Sequence, residues 1–153
     1  MLYSPAVERM LEEGRDYMPP GASLESPVRD LVEEEQRVVL LGTGSPQLHY
    51  TLHIHFDATV PNIRPRPSAS VRFGISIAGG ELCVRDGYDL MAWHADGKGV
   101  RRVPVTDGYY AVDALWIPTS HERMTIYLVL QVERERIAGG GWPYLGYRVG
   151  ETV

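Results

Sequence analysis

The stretch His49-Tyr50-Thr51-Leu52-His53-Ile54-His55-Phe56-Asp57 alternates polar and apolar residues without a break. In an extended chain successive side chains point to opposite faces, so this period of two predicts a strand. Its Tyr50, Leu52, Ile54 and Phe56 face a core, and its three imidazoles and one carboxylate face away from it. The same period recurs downstream. Val71, Phe73, Ile75 and Ile77 alternate with Arg72, Gly74 and Ser76, and Met124, Ile126, Leu128, Leu130 and Val132 alternate with Thr125, Tyr127 and Gln131. Tyr109 to Ile117 is apolar on both faces except at Asp113, as a strand covered on both sides is. These segments predict one shared core of Leu52, Ile54, Phe56, Phe73, Ile75, Val112, Trp116, Ile126, Leu128 and Leu130.

Turn signals punctuate the strands. Gly42-Thr43-Gly44-Ser45-Pro46 separates Val38–Leu41 from the histidine strand, and Gly79-Gly80 turns the Val71–Ile77 strand back into Glu81–Arg85 as a hairpin. Asp86-Gly87, Asp96-Gly97 and Asp107-Gly108 follow at short intervals. The segment from Pro61 to Pro67 holds three prolines and is a loop. This pattern predicts a mainly β protein, an antiparallel β-sandwich-like domain over residues 37–153. Residues 1–36 form a short helical extension before it. Ser4-Pro5 and Ser26-Pro27 each read as a helix start, the first leading to Val7, Met10 and Leu11, the second to Val28, Leu31 and Val32 at i, i+3 and i+4.

Composition bounds the function. The chain has 153 residues, 44% of them hydrophobic, enough for a single core. Apolar runs such as Val38–Leu41 fall far short of the roughly 20 residues of a membrane helix. No signal-like segment opens the chain, and the lone Cys83 excludes an internal disulfide, so the expected location is cytoplasmic. Residues 1–36 carry nine of the 20 acids and three of the 15 basic residues, net −6, which leaves the remainder at +1. An acidic surface disfavours nucleic acid and suits a basic protein partner. Glu33, Glu34 and Glu35 are the candidate partner-binding residues.

The histidine strand also admits a metal reading. His53 and His55 lie two steps apart on one face, within reach of one zinc or iron, with Asp57, His49 or Glu81 as third ligand. Such a site would serve a metal-dependent enzyme or a small-ligand binder. The His-x-His-x-Asp-His signature of the metallo-β-lactamase superfamily is broken, however, by alanine at position 58. No nucleophile elbow, P-loop or complete dinucleotide fingerprint is present. Cys83 reads as a packed thiol, and Asp113 as an acid that needs a partner if buried.

Val71-Arg72-Phe73-Gly74-Ile75, Gly79-Gly80-Glu81-Leu82, Val103 to Val112 and Trp116-Ile117-Pro118 together resemble the strand plan of the competence protein J family, with Val38 to Phe56 matching two earlier strands. The resemblance implies a small cytoplasmic β-sandwich that binds and inhibits a nuclease. The expected function is therefore that of a non-catalytic protein-binding module, an inhibitor or immunity-type partner of a nuclease or toxin, needing no cofactor.

Overall fold

Alternating faces need two covers, and the chain supplies them as two four-stranded sheets packed face to face. The structure, a computed structural model, describes residues 1–19, 23–43, 49–56, 63, 66–97, 99–118, 123–137 and 143. The strands are β1 (Leu2–Tyr3), β2 (Val38–Val39), β3 (His49–Phe56), β4 (Ala69–Ile77), β5 (Glu81–Val84), β6 (Arg101–Pro104), β7 (Gly108–Pro118) and β8 (Arg123–Val132). The first sheet has the order β2-β1-β5-β6 and the second β3-β8-β7-β4. The mainly β, sandwich-like class read from the sequence holds.

Seven of the residues predicted to share a core do so. Phe73, Ile75, Val112, Trp116, Ile126, Leu128 and Leu130 are all at most 4% exposed, and Leu2, Val39, Leu82 and Val84 of the first sheet meet them from the other side. Ile54 packs only at the margin of this core. Leu52 and Phe56 are 38% and 37% exposed, which corrects their assignment to it. The reason is packing: β3 is the edge of the second sheet, and Leu52 and Phe56 each line an open cavity that also borders the first sheet, so the two sheets do not close on them.

Two pairings differ from a simple antiparallel plan. β3 runs parallel to β8, with His53 opposite Tyr127 and Phe56 opposite Leu130, whereas the other strand pairs are antiparallel. β3 and β4 lie on opposite edges of one sheet, so no hairpin dictates the direction of β3; most of the Pro61–Pro67 segment between them lies outside the described residues. The predicted Gly79-Gly80 hairpin is the second difference. β4 pairs with β7 and β5 with β1 and β6, so this turn carries the chain from one sheet to the other. Gly79 and Gly80 have φ of 103° and 75°, a conformation glycine adopts without Cβ strain. Both of their amides donate to Asp107 Oδ1, at 2.9 and 2.6 Å.

The N-terminal segment builds into the sandwich. β1 lies between β2 and β5, with Leu2 facing the second sheet and Tyr3 facing out. Pro5 opens a 3-10 turn, Pro5–Arg9, instead of a longer helix, and Ser4 Oγ spends its bonds on the Ala78 backbone instead of capping that turn. The helix α1, Val28–Glu33, forms where the i, i+3, i+4 spacing predicts it, and Val28, Leu31 and Val32 are buried. Together with Tyr3, Val38, Cys83 and Trp93 they make a second core on the outer side of the first sheet. Among the described residues no helix is long and apolar enough to cross a membrane.

Candidate functional site

The histidine strand does not act as one ladder. His53 and His55 lie on the outer face of the second sheet, where Tyr127 of β8 stands in register with His53. The His53 ring stacks on Tyr127 with centroids 4.7 Å apart and planes 13° apart, and His55 lies 5.8 Å away at 18°. An imidazole binds metal through a lone pair in its own ring plane. Each ring is held against the same phenol, and a shared ion would also need a further ligand beside them. His55 Nε2 is buried with no hydrogen-bond partner among the described residues. Asp57 lies outside the described residues, and Glu81 stands on β5 in the other sheet, 3.2 Å from Arg102. Among the described residues no group of three histidines, cysteines or carboxylates converges to hold a metal.

Asp113 has the partner its apolar setting demands. Arg72, directly opposite on β4, reaches it at 2.8 Å on the same outer face. Cys83 is buried among the N-terminal elements, and burial pushes its thiol up to about 11, so it is protonated and inert near neutrality.

Most acids of the N-terminal segment are engaged. Glu8 accepts from Arg102 at 2.7 Å and from the Tyr3 hydroxyl at 2.9 Å, and Glu12 and Glu25 flank Arg15. Glu13 accepts from the Ala95 amide at 2.7 Å and meets His94 Nδ1 at 2.8 Å; these contacts hold its carboxyl below the usual range, the amide chiefly. The candidate partner residues sit at the C-terminal end of α1. Glu35 pairs with Arg37 at 3.2 Å, whereas Glu33 and Glu34 are exposed and make no ion pair among the described residues. A carboxylate at a helix C-terminus opposes the helix dipole, so α1 itself gains nothing from these two charges.

Spacing along the chain gives no hint of a cavity between the sheets. About 700 Å³ opens between the two sheets on the β3 side. Leu2, Leu40 and Val84 form one wall, and Leu52, Ile126 and Leu128 the other, with the exposed His49, Tyr88 and Arg101 at its mouth. His49 thus belongs to this cavity, apart from His53 and His55. Arg85 also lines it, but its side chain, 2% exposed, is committed: it donates to Asp89 at 2.6 Å and to the His94 carbonyl at 3.0 Å, and lies 4.5 Å over the Trp93 ring. The lining comes from short, widely separated segments, so no contiguous motif announces it. Compared with known proteins, the chain matches no protein-family model, no curated protein and no solved structure.

Proposed function

We propose that this chain is a non-catalytic binding protein that holds another protein by strand addition to β3, as an inhibitor or immunity-type partner of a nuclease or toxin in the cytoplasm. The observation that carries the reading is the state of β3 as an edge. It is eight residues long, pairs in unbroken register with β8 on one side, and has no strand on its other side among the described residues. Natural edge strands are usually blunted by lysine, proline, a bulge or brevity. β3 has none of these, and it presents Leu52 and Phe56 more than a third exposed beside it. Main-chain bonds to an added strand supply affinity, and the alternate side chains supply choice of partner. Glu33 and Glu34 add the charge complementarity that speeds encounter with a basic active site.

The test starts from a partner co-purified from the native host and identified by mass spectrometry. Its association is then measured against two variants. Thr51→Lys with Phe56→Lys places charges along the edge and should speed dissociation at least tenfold. Glu33→Gln with Glu34→Gln and Glu35→Gln should slow association, most at low salt. A nuclease or toxin partner should lose activity at one equivalent of this chain. Binding that ignores both sets of changes overturns the reading.

A further inference from the structure

We infer that the inter-sheet cavity is a binding site for a small amphiphile with an apolar body and a carboxylate head, and that Arg101 receives the head. Three observations lead there. The cavity's volume of about 700 Å³ lies within the roughly 300 to 1,000 Å³ typical of small-molecule sites. Its walls are aliphatic and belong to the core itself: Leu2, Val84, Ile126 and Leu128 are each at most 9% exposed, so the body of a ligand would meet the same surface that fills the sandwich elsewhere. The mouth then carries a side chain of the opposite kind. Arg101 lines the opening and is exposed, and its side chain makes no hydrogen bond or ion pair among the described residues.

The contrast with its neighbours is what gives Arg101 its role. Arg85 is occupied by Asp89, His94 and Trp93, and Arg102, on the next residue, is occupied by Glu8 and Glu81. Asp86 shares the rim, but its Oδ1 accepts from the Tyr88 amide at 3.0 Å, capping the 3-10 turn Gly87–Met91. Arg101 alone among these arginines keeps its fork of donors available, and a carboxylate matches that fork in shape and charge. His49, from the opposite sheet, provides a second polar group at the same mouth. An apolar body between the sheets and an anion at Arg101 satisfies both halves of the cavity at once.

The proposal is independent of the protein-binding reading, and its assay contains no partner. Decanoate, below its micellar range, is titrated into the full chain by calorimetry, with decanol and decyltrimethylammonium as head-group controls. The expected result is a single saturable site for decanoate, with the cationic amphiphile bound at least tenfold more weakly. Arg101→Ala should lower decanoate affinity about tenfold or more while leaving decanol unchanged, because only the anion uses the guanidinium. Leu52→Trp, at a position already 38% exposed, fills the cavity and should abolish binding of both. Unchanged circular dichroism and melting temperature identify variants that have folded. The inference is overturned if decanoate shows no saturable binding up to millimolar concentration, if Arg101→Ala weakens decanol equally, or if folded Leu52→Trp binds as before.

Discussion

Gly74 tests how closely the outer face of the second sheet is packed. It stands on β4 opposite Ala111, and the Tyr109 side chain crosses directly over it. A Cβ built on Gly74 would overlap Tyr109 Oη and lie 2.5 Å from Cζ, so Gly74→Ala must displace the phenol. That hydroxyl donates to Gln36 Oε1 at 2.7 Å and accepts from the Ile137 amide at 2.9 Å, so moving it breaks two bonds that tie β7 to the end of α1 and to the segment after β8. Each bond contributes about 1 kcal/mol, and the overpacking adds roughly 1 to 3 kcal/mol. Alanine returns roughly 0.5 to 1 kcal/mol because glycine is intrinsically poor in a strand. The net loss is about 2 to 4 kcal/mol, which corresponds to a fall in melting temperature of roughly 5 to 15 °C for a chain of this size. Urea denaturation followed by circular dichroism measures it. The decisive comparison is the Tyr109→Ala background, where the obstruction is gone and Gly74→Ala should be neutral or slightly stabilising. An equal loss in both backgrounds refutes the close-packing argument.

Leu128→Ala removes a fully buried side chain from the inter-sheet core and should cost about 2 to 5 kcal/mol, read as a lower urea midpoint with unchanged slope. Cys83 should resist iodoacetamide at pH 8 in the native state and react at once in denaturant. Its native thiol binds its proton more tightly than the unfolded one, so stability is full below about pH 9 and declines as pH rises toward about 11; Cys83→Ala should remove that part of the decline. Elemental analysis of the purified protein should find well under one zinc or iron per chain, since His53 and His55 stack on Tyr127 and no third ligand joins them among the described residues. One tightly held metal, lost in the His53→Ala, His55→Ala double variant, would refute that account.

The identity of the strands is local chemistry, and the sequence carries it. A period of two in 49–56, 71–77 and 124–132 can bury its apolar set only as an extended chain, and Phe73, Ile75, Ile126, Leu128 and Leu130 are buried as that pattern requires. The i, i+3, i+4 triad of Val28, Leu31 and Val32 likewise determines α1. Asp113 inside an apolar strand announces the need for a partner, although only the register of β4 with β7 shows that Arg72 meets it. Pairing and coverage are not local. Backbone donors and acceptors are the same in every residue but proline, so nothing within residues 49–56 states that β3 runs parallel to β8, or that Gly79-Gly80 leads to the other sheet instead of a hairpin. Whether a face is buried depends on what lies opposite it. Leu52 and Phe56 carry the same alternation as Phe73 and Ile75, yet they remain more than a third exposed because they stand on an edge strand and line open cavities. The cavity at that edge, with Arg101 and His49 at its mouth, is lined from both sheets and exists only once they face each other.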